Sequence, residues 1–403
     1  MSVEDISRRY AVGLLGISFG AIPARSGSVS ASLSNRSDAS SSKDDEDGWY
    51  RLGLASAQYL TTTVLINGRA VSAIIDTGAS RTVINRALAE ETGLPKLGQA
   101  TATTFTGNVS GTFYKAATLE VGGSIFRDKM IADYSLSAIE GSLMRELPFV
   151  VGQDILSNIL FEVDFPQDRA RFVSHSRPEY LQPFERIKLS IDKNGLPQVL
   201  LGFGSAPIAT ALIDLGSSVV CSVSREFADR EKLTLGRRTS TTLTVGVEGD
   251  KISTVFCAPS LRFGKSLLQN VPVCVVDDWK PSQPVNLGWP FFAPFDLMLD
   301  IRGSAVLVKA DNAILGRSFP KDRSGIGTVR LPDRLRVRHV AANSPAEQAG
   351  LRVGDEIVSL NGRQIDSSYP PAGQRQGYKP PGTRLELTLA DDRVLAFVLA
   401  DYF

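Results

Sequence analysis

The chain has 403 residues, 43% of them hydrophobic and 22% charged, which is long enough for two or three domains with sizeable cores. Its 44 Lys and Arg residues balance 43 Asp and Glu residues, so the charge gives no reason to expect a nucleic-acid-binding protein. With two histidines, and three cysteines that lack zinc-ligand spacing, a metal site is not expected and no cofactor is predicted.

The first 31 residues are typical of an export signal. Two arginines precede an apolar run from Tyr10 to about Ala24, which is shorter than the roughly 20 residues that span a bilayer. Small-residue cleavage sites occur at "IPA" and at "VSA", which ends at Ala31. "SRRYAV" is also similar to a twin-arginine signal, so both export routes stay open, with an uncleaved amphipathic helix as the alternative. We expect a periplasmic or secreted protein with no stable membrane span after cleavage.

Residues 32–48 continue the chain with serine-rich and then acidic sequence. They contain almost no large apolar side chain. Such a segment cannot bury enough apolar area to offset the entropy lost on ordering, so we predict a disordered linker.

Two stretches place an aspartate at the end of an apolar run. "AIIDTGASRTVI" contains Asp76, and "ALIDLGSSVVCSV" contains Asp214, 138 residues later. Downstream, "FVVGQDILSNIL" and "VNLGWPFFAPF" bring Gly152 and Gly288 into correspondence at a spacing of 136 residues. The matches keep the same order over about 120 residues, which indicates a tandem duplication.

Both halves read as β-rich, because short runs of Val, Ile, Thr and Phe alternate with Gly, Asn and Pro. Asn67-Gly68 is a hairpin signal leading into the strand that ends at Asp76. Each half also has a glycine-bracketed hairpin after its aspartate, at 105–114 and 244–254. Helical signals are sparse and strongest at 85–94 and 152–160.

These features resemble the pepsin/retropepsin clan of aspartic proteases over roughly residues 50–310. "IIDTGAS" is the retropepsin-type form, with Ala79 where pepsins usually have Ser, and "FVVGQDIL" is similar to the hydrophobic-Gly motif that supports the active-site loops. The resemblance is to bacterial retropepsin-like proteins fused in tandem. It implies a mainly β fold with two retropepsin-like β-barrel halves, 49–178 and 179–312, related by a pseudo-twofold axis as in bilobal pepsins.

The resemblance implies that Asp76 and Asp214 form a catalytic dyad. One ionised and one protonated carboxyl group can activate a single water between them to hydrolyse a peptide bond. Two carboxylates held close together cannot both ionise cheaply, so their pKa values split, and we expect the best activity below neutral pH. Thr77, Gly78 and Gly216 are the expected supporting residues, since glycine lets backbone approach each carboxylate.

The second half departs from the family pattern. Leu215 stands where a Thr or Ser hydroxyl normally bonds across the dyad. Ser217 is expected to bond the outer oxygen of Asp214 instead, and Trp289 and Pro290 alter the second hydrophobic-Gly motif. The chain is therefore predicted to be an aspartic endopeptidase, with a catalytically impaired peptide-binding protein as the alternative.

Two of the three cysteines lie on the arms of a predicted hairpin. Cys257 and Cys274 flank a turn at Gly264-Lys265, and a two-residue turn would make them diagonal neighbours on one face. A disulfide between them stays open. Cys221 is interpreted as a small buried hydrophobic residue.

The sequence "VRHVAANSPAEQAGLRVGDEIVSLNGRQI", residues 337–365, resembles a bacterial PDZ domain within a module of about 320–403. Ser344-Pro345 is predicted to start a short helix, and Asn361-Gly362 to form a hairpin. PDZ domains bind peptide ends or exposed strands at a sheet edge, and "GIGTVRL" (325–331) is the candidate binding loop. The expected partners are peptide or protein substrates and a PDZ-bound peptide or C-terminus. A module that merely packs on the protease is the alternative.

Overall fold

The computed structural model describes residues 48–52, 59–103, 108–134, 148–173, 184–204, 208–246, 249–369 and 376–403. The predicted export signal and linker lie outside these residues, apart from Gly48. Within the described residues, no helix has the length and apolar character needed to cross a membrane.

The first half is built almost wholly from strands, as predicted. They are β1 (Tyr50–Arg51), β2 (Thr61–Ile66), β3 (Arg69–Ile75), β4 (Val83–Ile84), β5 (Lys96–Thr103), β6 (Asn108–Val121), β7 (Ser124–Asp133), β8 (Phe149–Val151), β9 (Leu160–Asp164) and β10 (Arg169–Val173). The turn between β2 and β3 is the predicted hairpin: Asn67 has φ 47° and Gly68 has φ 83°.

The second half repeats this plan. Its strands are β11 (Glu185–Lys188), β12 (Ser190–Ile191), β13 (Pro197–Gly202), β14 (Ile208–Asp214), β15 (Cys221–Ser224), β16 (Thr239–Gly246), β17 (Gly249–Phe263), β18 (Ser266–Val276), β19 (Val285–Gly288), β20 (Phe295–Asp300) and β21 (Ala305–Ala310).

Helices are short and occupy similar places in the two halves. They are α1 (Arg86–Glu91), α2 (Gln153–Leu156), α3 (Arg225–Arg230), a 3₁₀ helix (Trp289–Phe292) and α4 (Asn312–Leu315). Asn85 and Ser224 begin α1 and α3 by accepting hydrogen bonds from main-chain N–H groups of the first turn. Helices α1 and α2 lie where the sequence predicts helical segments.

The sheets of the two halves have the same strand order, which confirms the duplication. The first runs β2-β3-β8-β4-β7-β6-β5, and the second runs β13-β14-β19-β15-β18-β17-β16 with β12 added at one edge. In each half the strand that leads to the aspartate pairs in parallel with the strand of the hydrophobic-Gly motif: β3 with β8, and β14 with β19.

A third sheet joins the halves and is called the interlobe sheet here. Its order is β1-β10-β9-β20-β21-β11. At its centre β9 and β20 pair antiparallel, with Phe161 opposite Leu299 and Val163 opposite Leu297. All four side chains are buried in the core that the halves share. The halves are therefore joined by main-chain hydrogen bonds as well as by apolar packing.

The C-terminal module has its own sheet and core, as predicted for a PDZ domain. Its elements are β22 (Ile326–Leu331), β23 (Arg334–Val340), α5 (Pro345–Gln348), β24 (Glu356–Leu360), β25 (Arg363–Gln364), β26 (Arg384–Leu389) and β27 (Val394–Val398). Ser344 caps α5 by accepting from Glu347 N–H. The hairpin turn between β24 and β25 has Asn361 at φ 51° and Gly362 at φ 73°.

The hairpin of β17 and β18 has the predicted register, with Cys257 opposite Pro272 and Val255 opposite Cys274. The two cysteines are therefore diagonal rather than directly opposed. They are not bridged, and neither is Cys221.

Chain crossings beside the two aspartate loops require glycine. A Cβ on Gly152 would lie 2.4 Å from the carbonyl carbon and oxygen of Arg81, and a Cβ on Gly288 would lie 2.0 Å from the oxygen of Val219. These neighbours are main-chain atoms, which cannot rotate away. The glycine of each hydrophobic-Gly motif thus fixes how closely the following segment packs against the aspartate loop.

Gly152→Ala is expected to lower the free energy of unfolding by about 1–3 kcal/mol, the usual range for an overpacked core. Gly316→Ala is the matched control, because Gly316 also has a negative φ and an added Cβ there meets nothing within 4 Å. Urea denaturation of both variants measures the difference. Equal stability of Gly152→Ala and the wild type would contradict the close approach at this crossing.

Candidate active site

Each predicted aspartate lies at the end of an apolar strand. Asp76 follows β3 and Asp214 is the last residue of β14, and both side chains are fully buried. The side chains before them, "AII" and "ALI", are all buried, which fixes where each strand ends. The equivalent strand order places the two ends in equivalent positions.

The loops after the aspartates hold the carboxylates by main-chain hydrogen bonds. Gly78 N–H and Ala79 N–H donate to Asp76 Oδ1 at 2.8 and 3.1 Å. Gly216 N–H donates to Asp214 Oδ1 at 3.1 Å. Each carboxylate is thus oriented by its own turn before any contact with the other half.

The two loops meet at Thr77. Its hydroxyl donates to Ile213 O at 2.7 Å and accepts from Leu215 N–H at 2.9 Å. A Cβ on Gly216 would lie 2.3 Å from Asp76 Cγ, so only glycine lets the second loop approach the first carboxylate this closely. The structure thus places Thr77, Gly78 and Gly216 in the two loops that surround the aspartates.

The bridge between the loops is one-sided. Leu215 occupies the position equivalent to Thr77 and has no hydroxyl group to return the bond, and its side chain is buried in the shared core. On the first side, Gln153 Nε2 donates to Thr77 O at 3.1 Å and steadies the residue that makes the bridge.

The carboxyl groups of Asp76 and Asp214 lie close enough for each to shift the pKa of the other. Two buried carboxylates side by side cannot both ionise cheaply, so one of the two carboxyl groups keeps a proton more readily than an exposed group would. Burial raises the pKa of Asp76 to about 7. Burial, and then the charge of Asp76, raise the pKa of Asp214 well above its usual range.

Burial also moves the pH range in which the pair carries one proton. Since the first proton leaves near pH 7, the singly protonated pair exists around neutral pH and above. The sequence-based expectation of a pH optimum for activity below neutral does not include this effect. The sequence alone does not show how completely water is excluded from the two carboxyl groups.

Comparisons with known families match both halves. A family model described as "gag-polyprotein putative aspartyl protease" matches residues 62–158, which contain Asp76. A model described as "Aspartyl protease" matches residues 197–291, which contain Asp214. The chain contains two aspartyl-protease-like domains. A third model, "PDZ domain", matches residues 336–375, and a search of curated proteins found no match.

A residue that the sequence analysis missed contacts the dyad in the second protease-like domain. Asn286 Nδ2 donates to Asp214 Oδ2 at 2.9 Å from the neighbouring strand β19. Ser217, predicted to bond this oxygen, instead accepts from Val219 N–H through its hydroxyl at 3.3 Å. The signal was present in "VNLG", where a polar residue stands at a position that Val150 fills in "FVVG" of the first domain.

The altered motif of the second protease-like domain still supports its loop. Trp289 N–H donates to Ser217 O at 3.0 Å, as Gln153 N–H donates to Ala79 O at 2.8 Å in the first domain. Trp289 also stacks on Phe165, with ring centroids 6.1 Å apart. The substitution changes the side chains of the support and keeps its main-chain bond.

Each protease-like domain has the predicted hairpin, called here the first flap (β5 and β6) and the second flap (β16 and β17). Residues 104–107 and 247–248, between their strands, lie outside the described residues. Within the described parts of the chain, no group of three or more His, Cys, Asp or Glu residues is arranged to hold a metal ion.

Asn286→Val, which installs the residue of the first domain, is expected to move the pH–activity profile, and above all its basic limb, to higher pH. The hydrogen bond from Asn286 lowers the pKa of Asp214, so its loss makes the last proton harder to remove. One lost bond corresponds to about one pH unit. Activity of the wild type should rise as the pH passes about 7.

Val150→Ala is the control, since it disturbs the equivalent position of the first domain without removing a hydrogen bond to the dyad. The acidic and basic limbs of its pH–activity profile should lie at the same pH as in the wild type, even if the stability of the variant falls. The measurement is cleavage of one unstructured peptide across a series of buffers at constant ionic strength. Identical profiles for Asn286→Val and the wild type would show that the bond from Asn286 does not act on the dyad.

Proposed function

We propose that this protein is an aspartic endopeptidase that hydrolyses peptide bonds with a water activated between Asp76 and Asp214. The meeting of two fully buried carboxyl groups that shift each other's pKa carries the proposal, because such a pair supplies one acid and one base in a single site. The ionised carboxylate takes a proton from the water, and the oxygen of the water attacks the peptide carbonyl carbon. The protonated carboxyl group donates its proton to the carbonyl oxygen, which gives a tetrahedral diol. As the diol collapses, one hydroxyl group returns a proton to this second carboxylate. The first carboxyl group gives the proton taken from water to the nitrogen, which leaves as the amine.

We propose that the PDZ domain gates or recruits the peptide substrate. Support comes from its contacts with β16 of the second flap. Ser240 Oγ donates to Ala342 O at 2.7 Å, and Thr241 Oγ1 lies 3.0 Å from His339 Nε2. A Cβ on Gly327 would lie 2.8 Å from Leu243 Cβ. Gly327 lies in β22, so the segment predicted as the PDZ binding loop is a strand.

The other strand of the second flap also contacts the PDZ domain. Arg338 Nη2 lies 3.2 Å from Asp250 Oδ2, and Val255 packs with Ala341. Since both strands of this flap are held, a ligand that moves the PDZ domain would also move one wall of the peptide cleft. Movement of such lids commonly limits turnover in enzymes.

Asp76→Asn and Asp214→Asn are each expected to abolish cleavage of an unstructured peptide, by at least about 100-fold, because each removes one member of the acid–base pair. Peptide binding, measured by calorimetry, should survive because the cleft is unchanged. Asp296→Asn is the matched control: burial raises the pKa of Asp296 to about 7 as well, but this residue lies in the interlobe sheet. If Asp214→Asn cuts as fast as the wild type, the dyad within one chain is wrong.

Leu215 favours a second candidate, a peptide-binding protein with impaired catalysis. Leu215→Thr restores the hydroxyl and should preserve or raise the cleavage rate if the chain is an enzyme. Thr77→Val removes the existing bridge and should lower stability by about 1 kcal/mol per lost hydrogen bond. If Leu215→Thr cuts the peptide and the wild type does not, the wild type is a peptide-binding protein with impaired catalysis.

A further inference from the structure

A cavity of about 170 Å³ lies between the second protease-like domain and the PDZ module. On the protease side it is lined by residues 218–220, by β16 of the second flap and by Trp289. On the other side it is lined by Tyr402 and Phe403, which close the described chain and are themselves buried. The two sides belong to different domains, so neither forms the cavity alone.

The cavity is lined by the loop that follows Asp214 and by the second flap. Ser218 follows Asp214 by four residues, and Trp289 N–H holds the same loop through Ser217 O. Thr242 and Thr244 line the cavity from the second flap. Alternate side chains of an extended peptide point to opposite sides. A peptide lying under this flap therefore directs a side chain close to the scissile bond toward the cavity.

The charged groups at the cavity wall already have partners. Asp322 accepts from Tyr402 Oη at 2.9 Å and from Gly325 N–H at 2.6 Å through Oδ2. Lys321 Nζ donates to Phe403 O at 2.6 Å and lies 3.5 Å from Asp401 Oδ1. Bringing an additional charge into such a site would be unfavourable, so the lining favours a neutral occupant.

Apolar side chains form much of the remaining lining, including Val219, Val255 and Pro290. The volume is suited to one large side chain, because apolar cavities of about 150 Å³ hold a benzene molecule. Val255 also packs with Tyr402 and Phe403, so the wall from the PDZ module is anchored to the second flap.

We infer that this cavity is a specificity pocket for a large apolar side chain of the substrate peptide, such as Leu or Phe, and that the PDZ module completes its wall. The inference rests on the proposed proteolytic function and adds a role for the PDZ module. Besides gating or recruiting a substrate, the module helps to choose which peptide bond is presented to the dyad.

The test uses the full chain and a series of unstructured decapeptides in which one position at a time carries Phe or Ala. For the wild type, kcat/KM at one position should favour Phe by about tenfold, as apolar pockets discriminate by size. Tyr402→Ala opens the wall and should remove most of this preference, whereas Tyr402→Phe keeps the ring and should retain it. Ala293→Leu fills the cavity from the protease side and should reject the Phe peptide while still accepting the Ala peptide.

The outcomes separate this inference from the proposed function. Binding of the same peptides to Asp214→Asn, measured by calorimetry, should show the same preference for Phe. Adding Tyr402→Ala to Asp214→Asn should remove this preference. If the wild type binds the peptides with this preference but cuts none of them, the proposed proteolytic function is wrong and the pocket is supported. Cleavage with the same Phe-to-Ala ratio in Tyr402→Ala, Ala293→Leu and the wild type would overturn the pocket. Faster cleavage of all peptides alike by Tyr402→Ala would also overturn it, because Tyr402 would then act as a plug.

Discussion

The burial of two neighbouring carboxyl groups, those of Asp76 and Asp214, is the constraint that the rest of the fold meets. Two such groups share a single proton near neutral pH only if water is excluded from both, because burial is what raises their pKa values most. Exclusion requires two buried strand ends to converge from opposite sides. The duplicated sheets supply the strand ends, the interlobe sheet holds them together, and glycines allow the loops to close over them.

The two halves share a strand order but divide the work at the dyad unequally. Thr77 bridges the loops in one direction and Leu215 does not return the bond. Asn286 then contributes a donor to Asp214 that Val150 cannot supply to Asp76. In a homodimer, the two aspartate loops would necessarily have the same residues. A duplicated chain is free of that constraint, so one half can lose a bond while the other keeps it and a different donor is added.

Much of the fold and of the dyad could be predicted because the signals are local and occur twice. The strand, aspartate and glycine patterns around Asp76 and Asp214 each specify their own turn, and the repeat implies that the turns meet. The Asn286 contact depends on which face of β19 turns toward Asp214, a property of the folded sheet that no local pattern specifies. The docking of the PDZ module on β16 was equally hidden, because it joins segments about 100 residues apart through side chains that are ordinary in sequence.

The interlobe sheet has a consequence for how the chain is made. Strand β9, "LFEVD", is buried throughout in the finished protein, where its outer edge pairs with β20. During synthesis β20 emerges roughly 130 residues later, which takes on the order of ten seconds at typical elongation rates. Throughout that interval the first half presents a strand edge with unpaired main-chain groups, which can pair with other nascent chains. The feature that unites the mature lobes is thus the most vulnerable edge of the growing polypeptide.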